Sequence, residues 1–256
     1  MMNEATIEKL IEMRLTSMAD ALRQQMEDSS MEQLSFMEQL SFMERIGLII
    51  DREYTSRKSN HLKRLIKYAD FDQSQASIAD INYAPARKLN RNQLLDLATC
   101  RYIPDAYNII LLGAAGSGKS YLASALGMEA CKKFYTVKYI RLPELFIELE
   151  AARAEGNFPK VIKQYAKYKL LILDEWLLIK LTEVQGRDLL EIIHARHKHA
   201  STIFCSQFAP AGWHVKIGES TLADAILDRI VHDSYTIEIH SDGINMRHEY
   251  GLKPKF

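Results

Sequence analysis

Residues 113–120 read GAAGSGKS, between NIILLG (108–113) and SYLASALGMEACKK (120–133). The string fits G-x-x-x-x-G-K-[ST], the loop that cradles the phosphates of a nucleoside triphosphate. Gly113, Gly116 and Gly118 let the backbone close into a nest whose N–H groups point inward, and Ala114, Ala115 and Ser117 complete it. Lys119 is placed to reach the β- and γ-phosphates, and the Ser120 hydroxyl to sit on Mg²⁺. The helix that follows adds a dipole and free N–H groups that favour an anion. A strand-like run, the glycine loop and a helical pattern come in the order that this motif requires.

About 55 residues downstream stands LLILDE, 170–175. Four apolar residues in a row read as a central parallel strand buried on both faces. Asp174 then sits at its carboxyl end, where open α/β sheets bind ligands, and is expected to hold the Mg²⁺. Glu175 is suited to orient and activate an attacking water, which points to hydrolysis rather than to binding alone. The strand STIFCSQ (201–207) ends in Ser206 and Gln207. If it neighbours the Asp174 strand, both side chains point towards the γ-phosphate, and Gln207 can orient the water. A polar loop start explains the pair equally well. Arg229, in TLADAILDRIVHDSY (221–235), has Asp228 beside it and on pattern alone reads as a surface ion pair. His194, His197 and His199 lack a carboxylate or Cys to complete a metal set, and read as a basic helix end.

The 256 residues suffice for one large domain and a small one, with an ordinary 47% hydrophobic and 26% charged residues. Net charge is zero, but its distribution is uneven: Met1 to Ser56 carry five Lys/Arg against eleven Asp/Glu, and Arg57 to Arg101 nine against four. The stretch RKSNHLKRLIKY (57–68) has no acid, and on a helix Arg57, Lys58, His61, Arg64 and Lys67 form a basic face. That face, with ARKLNR at 86–91, suits a phosphate backbone. Three scattered cysteines, Cys100, Cys131 and Cys205, argue for a reducing compartment rather than a disulfide framework. No apolar run reaches membrane-spanning length and the N-terminus lacks a signal pattern, so a cytoplasmic protein is expected.

Along the chain, residues 1–68 read as a small all-helical domain. Leu10, Met13, Leu15, Met18, Leu22 and Met26 suggest one amphipathic helix; two more are expected at about 36–52 and 54–67. MEQLSF occurs twice in tandem, at 31–36 and 37–42, and the first copy reads as an insertion in a joining loop. Residues 69–107 form a connector with one helix at 91–98. From Asn108 to the end, strands at 108–112, 137–141, 170–174, 201–206 and 235–239 alternate with helices at 119–132, 142–154, 158–167, 182–198 and 221–232. This is an α/β pattern with a parallel sheet and helices on both faces. The segment APAGWHVKIG is expected to be a loop. About 17 residues follow the last strand, too few for a helical lid, so ATP binding and oligomerisation are expected to be coupled.

GAAGSGKS, LLILDEWLL, STIFCSQFAPAGWH and LADAILDRIVH, in that order, resemble the IstB-type ATPases, helper proteins of insertion-sequence transposition. LTSMADALRQQMED (15–28) and FMERIGLIIDREYTSRKSNHLKRLIK (42–67) are similar to that family's helical N-terminal domain. The resemblance implies an AAA+ fold related to the DnaC-type helicase loaders, with strand order 5-1-4-3-2. It implies ATP and Mg²⁺ as cofactors, assembly as a homo-oligomer on duplex DNA, and delivery of that DNA to a partner transposase. It assigns phosphates to Gly113 through Ser120, metal to Asp174, and the catalytic acid to Glu175. It aligns Arg229 with a finger arginine acting in trans, and Arg247 with a second sensor arginine. Gln207 stands where such ATPases more often carry Asn. The alternatives are a DnaC-like loader of a replicative helicase and, less favoured, a small-molecule kinase; against the kinase stand Glu175 and the lack of an acceptor-binding insertion.

Overall fold

The computed structural model describes residues 2–27 and 42–240. The chain divides at Arg64/Leu65 into two compact units. The first holds α1 (Met2–Glu12), α2 (Thr16–Glu27) and most of α3 (Phe42–Ala69). The single helix expected across residues 10–26 is broken. Met13 and Leu15 are two apart, a step that no 3.6-residue period accommodates. Arg14 turns left-handed (φ 59°) there. The Arg14 and Leu15 N–H groups donate back to Ile11 O (2.9 Å) and Leu10 O (2.8 Å), the closure of a Schellman motif. The two helices expected at 36–52 and 54–67 are instead continuous within α3, because neither Gly nor Pro interrupts residues 48–69 and propagation continues. Glu53 ties α2 to α3: it accepts from Met18 N (3.0 Å) and from Arg57 Nε (2.6 Å). The Arg57 guanidinium holds its carboxyl below the usual carboxylate range, against the opposing effect of burial. Apart from Phe42, the tandem MEQLSF lies outside the described residues.

The second unit is built on five parallel strands: β1 (Asn108–Gly113), β2 (Val137–Arg141), β3 (Leu170–Trp176), β4 (Ser201–Ser206) and β5 (Ser234–Ile239). Their order is β2-β3-β4-β1-β5, which read from the other edge is the expected 5-1-4-3-2. The helices are α4 (Arg91–Ala98), α5 (Lys119–Lys132), α6 (Leu142–Ala154), α7 (Phe158–Lys167), α8 (Glu183–Arg196), α9 (Pro210–Ile217) and α10 (Ser220–Val231). Alternation in β3 sends Leu171 and Leu173 into a core with α6, α8, α9 and α10. Ile172 faces the other way, onto α5: a Cβ on Gly127 of that helix would lie 2.9 Å from Ile172 Cδ1 and 2.5 Å from Phe71 Cε1. Phe71, from the connector, thus packs on α5, and the connector falls in the second unit. At its carboxyl end β3 bulges, since Leu173 pairs with Phe204 but Trp176 with Ser206. Glu175 takes a left-handed φ of 53° there, and a bulge beside a site re-aims its side chains.

The segment APAGWHVKIG is not a loop. Pro210 opens α9 at a position that needs no N–H, and Gly218 (φ 98°) closes it. Trp213 on α9 is fully buried against Trp176 and Phe204. Arg196 is also fully buried, with Nη1 on the carbonyls of Tyr165 and Tyr168 (both 2.7 Å), Nη2 on Ser201 O and Nε on Thr202 Oγ1 (3.0 Å). Burial lowers its pKa to about 9. Cys100, Cys131 and Cys205 are free and buried; burial pushes the Cys100 thiol up to about 11 and Cys131 to about 12. Among the described residues no helix is long and apolar enough to cross a membrane.

Candidate functional site

The carboxyl ends of β1, β3 and β4 open into a cavity of about 1270 Å³. β1 delivers the chain at Gly113, and α5 leaves at Lys119. Between them Gly116 (φ 76°) and Gly118 (φ 96°) hold left-handed backbone that L side chains rarely adopt. Gly113 is required by space: a Cβ there would meet Ser117 Oγ at 2.6 Å and Ile239 O at 2.7 Å. No side chain caps α5, so its first-turn N–H groups stay available at the loop. Lys119 curls over the loop and donates to Gly113 O and Ala114 O, both at 2.8 Å. Ala115, Gly116, Gly118, Lys119 and Ser120 line the cavity. Gly113, Ala114 and Ser117 do not line it; Ser117 is buried against Gly113. Ser117 Oγ is buried and makes no hydrogen bond.

The two acids of β3 line the same cavity. Asp174 is buried. Its Oδ2 accepts from Tyr139 OH at 2.6 Å, and its Oδ1 from Glu175 N at 2.7 Å. Glu175 Oε1 lies 3.7 Å from Arg141 Nη1. Arg141 also holds Glu144, keeping that carboxyl below its usual range. Gln207 lines the cavity at the end of β4. Ser206 does not: its Oγ donates to Trp176 O (3.2 Å) and accepts from Trp213 Nε1 and Phe208 N (both 3.1 Å), so it braces the strand ends. Seven of the expected site residues therefore converge on the cavity besides Ala115: Gly116, Gly118, Lys119, Ser120, Asp174, Glu175 and Gln207.

Arg229 does not join them. It sits on α10 beside Asn108, Arg196 and Thr202, at the amino ends of β1 and β4, and its Nη1 donates to Ala225 O at 2.6 Å. That is the edge of the sheet away from the loop. Arg247 lies outside the described residues.

Three contributors escape motif reading. Arg87 belongs to the ARKLNR stretch whose pattern suits a phosphate backbone, yet it is buried, with Nη2 donating to Ser117 O (2.7 Å) and Nη1 to Asn82 O (2.9 Å). It bolts the connector to the phosphate loop. Tyr139 and Arg141 come from β2. Alternation in VKYIR places them on one face, but only the pairing of β2 with β3 brings them to the acids.

The donor set fits a nucleoside triphosphate with Mg²⁺: a nest of N–H groups, one lysine, an uncapped helix start, and the hard oxygens of Ser120 and Asp174. Comparison with known proteins agrees. The family model of the IstB-like ATP binding proteins matches residues 8–251. The chain belongs to the IstB-like ATP-binding family. It is 37% identical, over 95% of its length and 97% of the relative's, to an insertion sequence ATP-binding protein (y4pL) of Sinorhizobium fredii. It is 38% identical, over 81% of its length and 87% of the relative's, to the IS1162 ATP-binding protein of Pseudomonas fluorescens. Among solved structures, DnaI superposes with TM-score 0.58 at 23% identity, covering 72% of this chain and all of that one. The DnaC helicase loader superposes with TM-score 0.55 at 18% identity, covering 64% and 96%. At those identities the likeness establishes the AAA+ fold of this IstB-like chain.

Proposed function

We propose that this IstB-like chain hydrolyses ATP with Mg²⁺, assembles on duplex target DNA and delivers that DNA to the transposase encoded with it. The observation that carries the reading is that Lys119 and Ser120 line one cavity together with Asp174 and Glu175. Loop N–H groups and Lys119 hold the β- and γ-phosphates. Ser120 and Asp174 would hold Mg²⁺, which would neutralise charge on the phosphate oxygens. Glu175 orients a water in line with the γ-phosphorus and accepts its proton as the new P–O bond forms and the bond to the β-phosphate oxygen breaks. Arg141, 3.7 Å from Glu175 Oε1, holds that carboxylate at the cavity. Gln207 is the second group placed to orient the water. Arg229, outside its own cavity, reaches the site of a neighbouring subunit, where an arginine is worth roughly 10³–10⁵ in rate.

Two exposed basic surfaces support DNA binding. Arg57, Lys58, His61 and Arg64 are exposed along α3 in the first unit, which we take as an N-terminal DNA- and partner-binding domain; Lys67, also exposed, falls in the second unit. On α7, Lys160, Lys163 and Lys167 recur one turn apart, all exposed, and no ion pair engages them among the described residues. The insertion-sequence relatives support a transposase as the partner.

The test is capture of duplex DNA, then transposition, by the wild type, Lys119→Ala and Glu175→Gln. The reading expects Lys119→Ala to fail at capture, and Glu175→Gln to capture but not to turn over ATP. Full transposition by both variants contradicts it. Stimulation of a replicative helicase instead of a transposase favours a loader.

A further inference from the structure

Each catalytic-end carboxylate of β3 has a partner on β2, and for Asp174 that partner is a neutral phenol. Tyr139 is buried, lines the same cavity, and donates to Asp174 Oδ2 at 2.6 Å. The Glu175 N–H donates to Oδ1 at 2.7 Å. Asp174 stands at the irregularity where β3 leaves its regular pairing with β4, so the strand ladder alone does not set its side chain. Two donors, one on each oxygen, fix the carboxylate plane. Each oxygen keeps a second lone pair for a further ligand. Tyr139 suits this task better than a charged donor would. It orients the carboxylate without adding a positive charge that would compete with a cation for it.

We propose that Tyr139 is a positioning residue, whose hydroxyl presents the free lone pairs of Asp174 to the divalent cation of a bound nucleotide. The proposal rests on the reading of Asp174 as the metal aspartate. Such outer partners are worth about 10–100-fold in metal affinity.

The experiment titrates Mn²⁺ into the full chain with a non-hydrolysable ATP analogue bound, reading free Mn²⁺ by electron paramagnetic resonance. Affinity for the analogue is measured separately in chelator, without metal. Wild type, Tyr139→Phe, Tyr139→His and Asp174→Asn are compared, each with a melting curve. The expected result for Tyr139→Phe is Mn²⁺ affinity weakened about 10–100-fold, with metal-free analogue affinity within about twofold of wild type. Tyr139→His, which keeps a ring N–H donor, recovers part of the loss. A folded Tyr139→Phe with wild-type Mn²⁺ affinity, beside a weakened Asp174→Asn, overturns the proposal and leaves the site reading intact. Wild-type Mn²⁺ affinity in Asp174→Asn overturns the site reading and the proposal with it. Should Tyr139→Phe not fold, Tyr139→His decides: weakened Mn²⁺ binding with unchanged metal-free analogue affinity supports the proposal, and wild-type affinity overturns it.

Discussion

Lys119 donates to two carbonyls of its own loop at 2.8 Å, so its charge is held at the loop where the proposed function puts phosphate. Lys119→Ala is expected to remove ATP binding in a fluorescent-nucleotide assay. Glu175→Gln keeps the side chain's shape and loses its basicity; hydrolysis should fall at least about 10²-fold while nucleotide affinity stays within a few-fold. Gly113→Ala puts a methyl 2.6 Å from Ser117 Oγ and 2.7 Å from a backbone carbonyl that cannot move freely. Loss of nucleotide binding with a lowered melting temperature is the expected outcome, and wild-type binding would show that the loop has slack. The place of Lys119 and Glu175 on the cavity was legible because a glycine loop after a strand and an acid pair at a strand end have strict local patterns. Arg87, Tyr139 and Arg141 were not, since each reaches the site through partners far along the chain.

The elements of the second unit followed their patterns closely, because β-branched and aliphatic runs buried on both faces leave few alternatives. α9 was missed since Gly212 and Pro210 look like loop chemistry, although Pro at the first position and Gly after the last are helix punctuation. In the first unit the Met13–Leu15 step was the signal for a break. Two predictions belong to this scale. Arg196 joins the end of α7 to the start of β4 through three carbonyls, and Arg196→Met leaves them unpaired in the core. A loss of about 3 kcal/mol is expected, or roughly 6–12 °C in melting temperature. Glu53 has a folded-state pKa below its unfolded value. Its contribution is therefore present above the ordinary carboxylate range and is lost as pH falls through the lowered value. Acid melting followed by circular dichroism should show that loss in the wild type and not in Glu53→Gln. Equal acid profiles would mean the α2–α3 tie is energetically silent.

At the scale of the whole molecule, the cavity is lined by eight of the expected site residues, but not by Arg229, which lies at the amino ends of β1 and β4. An arginine so placed acts on a neighbour or not at all. Arg229→Ala should bind ATP normally and hydrolyse it about 10³-fold more slowly or worse. Mixed with Glu175→Gln, itself inactive, it should recover part of the activity, because a mixed junction pairs an intact Glu175 with an intact Arg229. No recovery at any mixing ratio would place Arg229 outside the reaction. Arg229 lies in the last turn of the helix that leads into β5, so in a parallel sheet it falls at the amino ends of the strands; which subunit's site it serves is not written in the spacing.

The most direct test of the account is steady-state ATP hydrolysis with and without duplex DNA, over a salt series, with Glu175→Gln as the control. The account predicts hydrolysis that duplex DNA stimulates, stimulation that fades as salt screens the basic surfaces, and no turnover in the variant. Hydrolysis indifferent to DNA at every salt concentration, or undiminished in Glu175→Gln, would contradict it.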